Sequence, residues 1–235
     1  MTTRRSFLKQ ASLASAPFIL PSHVWAAKGD EAPNNRINVA IIGPGKMGRG
    51  HAHKLIRNPR AQVTGFAEIA DVRTQHTKEL IEKHYAKYTP SGTWNGLNIT
   101  RDYLELLEDK SLDAVLIATP DHWHGEPTIR AARAGKHVYC EKPVSLTIRE
   151  GRAMVNAVKE NKIVFQTGSQ QRTEYGGKFR RTVELVRSGA IGELKKIRVC
   201  VGAPPKTCDL PTEPIPEGID WDAWLGPAPK RGFNK

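Results

Sequence analysis

Three short stretches place reactive side chains where chemistry is possible. In Cys140-Glu141-Lys142-Pro143 a carboxylate and an ammonium follow a short apolar run. A lysine so placed can orient a hydroxyl or carbonyl oxygen, and it can trade a proton if burial or a neighbour tunes it. Ala118-Thr119-Pro120-Asp121-His122-Trp123-His124 gathers two histidines, a tryptophan and an aspartate into one turn. Histidines at i and i+2 with no further clustered ligand argue against a metal site. His124 is the better pocket-lining residue; Asp121 can cap the next helix and His122 can face solvent.

The third stretch is Gly43-Pro44-Gly45-Lys46-Met47-Gly48, which fits G-x-G-x-x-G. Gly43 permits a tight turn, Gly45 lets backbone approach a pyrophosphate, and Gly48 lets a helix pack closely on the preceding strand. The helix start then offers N–H groups and partial positive charge to phosphates, so Lys46 and Met47 join the glycines as dinucleotide-binding positions. Glu68 follows Gly48 by 20 residues, the spacing at which an acid accepts hydrogen bonds from an adenosine ribose. Its charge repels a 2′-phosphate and slightly favours NAD. Arg49 and Arg73 can accept that phosphate and keep NADP open.

These stretches need a scaffold, and the hydrophobic pattern supplies one. Val39–Ile42 reads as a strand buried on both faces, followed by a helix with Met47, Ala52, Leu55 and Ile56 at helical spacing. Further strands are expected at 62–69, near Ile99, at 112–118, 137–140 and 163–167. Helices are expected at 71–85 (Asp71 as N-cap), 102–109, 126–134 and 146–161 (Met154, Val155 and Val158 inward). Alternating strands and helices imply an α/β, doubly wound parallel sheet of the Rossmann type over residues 37–168. Ligands of such sheets gather beyond the strands' carboxyl ends, where all the candidate residues fall.

The N-terminus reads differently. Thr3-Arg4-Arg5-Ser6-Phe7-Leu8-Lys9, an apolar stretch from Ala11 to Leu20 and Val24-Trp25-Ala26-Ala27 form a twin-arginine export signal over residues 1–27. Residues 28–36 are a polar linker. The apolar part, about ten residues, is too short to span a bilayer. The formal charge is +12; Arg4, Arg5 and Lys9 account for three, and the rest are scattered among acids along helices. No basic block is interleaved with stacking aromatics, so the pattern points away from nucleic acid. Cys140, Cys200 and Cys208 lack metal-ligand spacing, and whether Cys200 and Cys208 pair stays open.

In this order, Gly43-x-Gly45-x-x-Gly48, Glu68, Ala118-Thr119-Pro120 with His124, and Glu141-Lys142-Pro143 resemble the glucose-fructose oxidoreductase/inositol dehydrogenase (Gfo/Idh/MocA) family. Gly168-Ser-Gln-Gln-Arg172, Leu185 to Gly192 and Trp221 to Pro229 fit the same family. The resemblance implies hydride transfer between C4 of a tightly held NAD or NADP and a carbinol carbon of a sugar, inositol or related polyol. It implies that Lys142 holds the reacting oxygen, His124 shapes the nicotinamide pocket with Thr119 and Pro120, and Glu141 steadies Lys142. It also implies a second domain with an open sheet that supplies a histidine acid/base, and assembly into a homo-oligomer.

The chain departs from that pattern after residue 168. Only a helix at 178–187, a strand at 194–201 and a proline-rich run follow, and no histidine occurs after His137. Residues 169–235 are therefore expected to be part of an α+β substrate domain that is cut short. Weak dinucleotide binding or poor folding is expected of the chain alone, through an uncovered edge. Two other readings stand beside the oxidoreductase: a redox-neutral glycosidase or epimerase that retains NAD, and a non-catalytic dinucleotide-binding fragment.

Overall fold

The computed structural model describes residues 35–170, 174–200, 202–203 and 209–234. The expected export signal, most of the linker, and Cys208 lie outside them. Six strands form one sheet: β1 (Ile37–Ile42), β2 (Ala61–Ala67), β3 (Asn98–Thr100), β4 (Ala114–Ile117), β5 (His137–Glu141) and β6 (Phe165–Gly168). Every neighbouring pair is parallel, in the order β3-β2-β1-β4-β5-β6. This is the doubly wound Rossmann arrangement, with its switch point between β1 and β4.

The apolar run of β1 is explained by two cores. Val39 and Ile41 pack on one face with Ala52 of α1 (Lys46–Leu55), Ile56 just past its end, and Ile81 of α2 (Asp71–Ala86). Ala40 and Ile42 pack on the other with Leu106 and Leu107 of α3 (Tyr103–Glu108), Ala131 and Ala132 of α4 (Gly125–Arg133) and Ala157 of α5 (Ile148–Asn161). Successive strand residues point to opposite faces, so a strand covered on both sides must be apolar throughout.

Several local expectations change. Met47 is 46% exposed; the buried side of α1 carries Gly48 and Ala52 instead. Asp71 does not cap α2: Ala70 holds the N-cap position without a side-chain bond, and Asp71 pairs with Arg101. On α5 Val155 is exposed and Ala157 takes the inward position beside Met154. That helix starts at Ile148 because the Thr147 hydroxyl accepts the Glu150 amide at 3.1 Å, an N-cap that fixes the first turn.

Beyond β6, α6 (Lys178–Arg187) forms as expected and buries no residue. The expected strand at 194–201 does not form among the described residues. Residues 194–200 are exposed and pair with no strand there, and without a ladder partner an extended run is not a strand. A short helix, α7 (Trp221–Leu225), returns to the sheet; an isolated antiparallel bridge joins Ile219 to Ala70. No helix among the described residues is long and apolar enough to cross a membrane.

Candidate dinucleotide site

The turn after β1 has the geometry its glycines suggest. Gly43 has φ +77°, and a Cβ there would meet Thr119 Cγ2 at 2.9 Å. A Cβ on Gly48 would sit 2.7 Å from the Gly43 carbonyl oxygen, so α1 packs against the turn itself. Gly45 differs: its nearest neighbour would be Arg73 Nη1 at 3.9 Å. Space is thus left where the Gly45 backbone faces a cavity. Gly45 is also the N-cap of α1 and provides no side-chain cap. The first-turn amides of Lys46, Met47 and Gly48 are left for an anion. The side chains of Lys46 and Met47 are exposed and stay off the cavity beside this turn, so those two residues offer it backbone only.

A cavity of about 480 Å³ opens beside this turn, a size that suits a small-molecule site. Gly43, Gly45, Glu68, Arg73, Thr119 and Pro120 line it together with Tyr103, Trp123 and Trp224. The Glu68 carboxylate is buried, and its Oε1 accepts the Ile69 and Ala70 amides at 2.9 and 3.0 Å. Burial pushes this carboxyl above its ordinary range, against the opposing pull of the Ala70 and Ile69 amides and of Arg73 and Arg49. Burial likewise raises the Tyr103 phenol, with Glu126 adding to the effect. The gap at Gly45, the uncapped helix start and the buried acid fit a dinucleotide's pyrophosphate and ribose.

The residues after β4 and β5 form a second group. His124 is 1% exposed and lies off the cavity lining. Its Nε2 faces the Thr119 carbonyl oxygen at 2.9 Å and its Nδ1 faces the carbonyl oxygen of Pro143. With both nitrogens against backbone oxygens, the ring lies wedged between the two loops and presents no nitrogen to the expected nicotinamide pocket. Lys142 is exposed, and among the described residues its ammonium pairs with nothing. Glu141 reaches Lys142 only through the latter's amide, 3.3 Å from Oε2. Its Oε1 meets His51 Nε2 at 2.7 Å instead, with Gln170 Nε2 at 3.4 Å. The expected steadying of the Lys142 side chain is not what the carboxylate does here.

Sequence reasoning missed His51 at the site, and it gave no role there to Trp123, which it had placed in the turn after β4, or to the Trp221 to Gly226 segment. Only the position of His51 one turn past Gly48 hinted at the first. His122 Nε2 lies 2.8 Å from the Trp224 carbonyl oxygen, so it does not simply face solvent.

Fold and site together define a dinucleotide-binding Rossmann protein. The model of the GFO_IDH_MocA family, an oxidoreductase family with an NAD-binding Rossmann fold, matches residues 37–169, and the chain belongs to that family. It is 31% identical over 157 residues to the uncharacterized oxidoreductase YrbE of Bacillus subtilis, covering 67% of this chain and 42% of that protein. It is 30% identical over 165 residues to myo-inositol 2-dehydrogenase of Thermotoga maritima, covering 69% and 44%. The crystal structure of a probable dehydrogenase from Thermotoga maritima superposes with a TM-score of 0.57 at 29% identity, over 66% of this chain and 42% of that one. The chain thus spans less than half the length of these relatives.

Proposed function

We propose that this chain is the dinucleotide-binding part of an NAD(P)-dependent oxidoreductase acting on a sugar, inositol or related polyol. One observation carries the reading. The open approach at Gly45, the uncapped start of α1 and the buried Glu68 meet at one cavity beyond the strands' carboxyl ends. The amides of Lys46, Met47 and Gly48 would hold the pyrophosphate beside Gly43 and Gly45, and Glu68 would bind the ribose. Bound there, a nicotinamide supplies a hydride acceptor or donor at its C4. Lys142, exposed at the end of β5, would hold and polarise the substrate oxygen. His124, buried between the two loops, keeps the Thr119 and Pro143 backbones in place.

Names of relatives support a polyol substrate, the Thermotoga maritima myo-inositol 2-dehydrogenase among them. Glu68 supports NAD slightly over NADP, while Arg73 on the cavity wall keeps both within reach. The twin-arginine run at Arg4-Arg5 and the Val24 to Ala27 cleavage pattern support export in folded form.

The test is titration of the 235-residue chain with NADH and NADPH, followed by assay of nicotinamide absorbance with inositols and aldoses. Saturable binding with absorbance change on a polyol supports the oxidoreductase reading and overturns the expectation that the chain alone binds weakly or folds poorly. Tight copurification of NAD, with substrate cleaved and no net absorbance change, would assign the redox-neutral alternative. Binding with no reaction of any polyol fits both the dinucleotide-binding part alone and a non-catalytic fragment, and absence of binding by the folded chain overturns the dinucleotide reading. Export is tested by Arg4→Lys with Arg5→Lys, which should retain a reporter fused behind residues 1–27 in the cytoplasm.

A further inference from the structure

One wall of the cavity comes from outside the sheet. Residues Asp220, Ala223, Trp224 and Gly226 line it, although β6, the last strand among the described residues, ends at Gly168. The segment carrying them is tied down on both sides of the opening. On the β2 side, the Asp71 amide donates to the Gly218 carbonyl at 2.9 Å and the Asp220 amide donates to the Ile69 carbonyl at 3.3 Å. These bonds fall on the loop that begins with Glu68. On the β4 side, Trp123 Nε1 donates to the Ala223 and Trp224 carbonyls at 3.0 Å each. The His122 and Trp224 rings meet edge-on at 5.0 Å.

Packing fixes the segment in the same place. Leu225 is buried, and Trp221 stacks on Trp224 at 4.6 Å with 12° between planes. Gly226 has φ +45°, and a Cβ there would lie 2.0 Å from Trp123 Cζ2. Only a glycine lets the chain pass this close to the indole. The span therefore crosses from the ribose-side loop to the turn after β4, over the end of the cavity lined by Glu68, Ile69 and Arg73.

We propose that residues 218–226 are a strap that completes the adenosine end of the pocket and gates entry and exit of the dinucleotide. Trp123 is its latch and Gly226 the point at which the latch closes. The inference rests on the dinucleotide reading of the cavity. A gate differs from a mere structural support in its kinetics: loosening it speeds association and release together.

The experiment is stopped-flow binding and release of NADH and of ADP-ribose by the 235-residue chain, its Trp123→Phe variant and its Gly226→Val variant. Thermal melts establish that each variant keeps its fold. Trp123→Phe keeps an aromatic ring and removes the N–H donor, so it remains informative should Gly226→Val fail to fold. Release should accelerate roughly ten-fold in Trp123→Phe, the scale of losing one or two hydrogen bonds, with association also faster. Unchanged release, or slower association with lost affinity, overturns the strap while leaving the dinucleotide reading intact. Failure of the unaltered chain to bind either ligand, with its own melt showing it folded, overturns both.

Discussion

His51 and Glu141, ninety positions apart in sequence, meet at 2.7 Å and tie α1 to the end of β5. Their side chains are 12% and 5% exposed, and the imidazole also packs edge-on against Tyr139 at 5.3 Å. A Cβ on Gly168 would lie 2.8 Å from Glu141 Oε1, so the neighbouring strand closes over the carboxylate. Truncating a buried acceptor strands its donors. Glu141→Ala should therefore destabilise the fold by about 2 kcal/mol in urea denaturation, and Glu141→Gln by less. Equal stability of the alanine variant would show that the pair contributes nothing.

Lys142, one residue on, should behave in the opposite way. Its side chain is exposed and its ammonium pairs with no described residue, so Lys142→Ala should change stability by no more than about 0.5 kcal/mol. Under the proposed role, the same variant should lower any turnover of a polyol by roughly 10²- to 10⁴-fold with NADH affinity unchanged. Steady-state kinetics and a binding titration on one preparation separate the two effects.

The three glycines of the first turn should separate as well. Gly45→Ala places its methyl no nearer than 3.9 Å to Arg73 Nη1, so the unliganded fold should tolerate it. The methyl would occupy the approach to the pyrophosphate, and dinucleotide affinity should fall by about ten-fold or more. Gly48→Ala drives its methyl to 2.7 Å from the Gly43 carbonyl oxygen and should destabilise the fold by about 1–3 kcal/mol. Melting curves with and without NADH distinguish a lost ligand contact from a lost turn.

Glu68 carries a pH dependence. Its carboxyl is raised in the folded protein, chiefly by burial, so the folded state holds the proton more tightly than the unfolded one. The stability this supplies is fully present below the unfolded value and is lost as pH rises through the folded value. Glu68→Gln cannot titrate and should avoid that loss. Its stability relative to the parent should increase from acid to neutral pH and then level off. A parent that gains on the variant as pH rises would contradict the assignment. Urea midpoints taken at intervals across that range provide the check.

The order of strands and helices from Ile37 to Gly168, the glycine turn and the acid after β2 were legible in the residues themselves. Each depends on local chemistry: an apolar run at strand or helix period, a positive φ at Gly43, a spacing set by one βαβ unit. Details within elements were less legible. Met47 and Val155 fit an apolar stripe by spacing yet face outward, because the neighbours that cover a helix decide which part of the stripe is buried.

Contacts between distant residues were decided only by the tertiary structure. Nothing near His51 points to Glu141, and nothing near Trp123 points to the Ala223 and Trp224 carbonyls about a hundred residues on. The expected strand at 194–201 failed in the described residues for the same reason, since a strand is completed by a partner and not by its own pattern. Local periodicity encodes the sheet and its phosphate turn because their dihedrals and burial repeat over a few residues. Which loops close over the cavity depends on how separate elements dock, and that information resides in shape and packing across the whole chain.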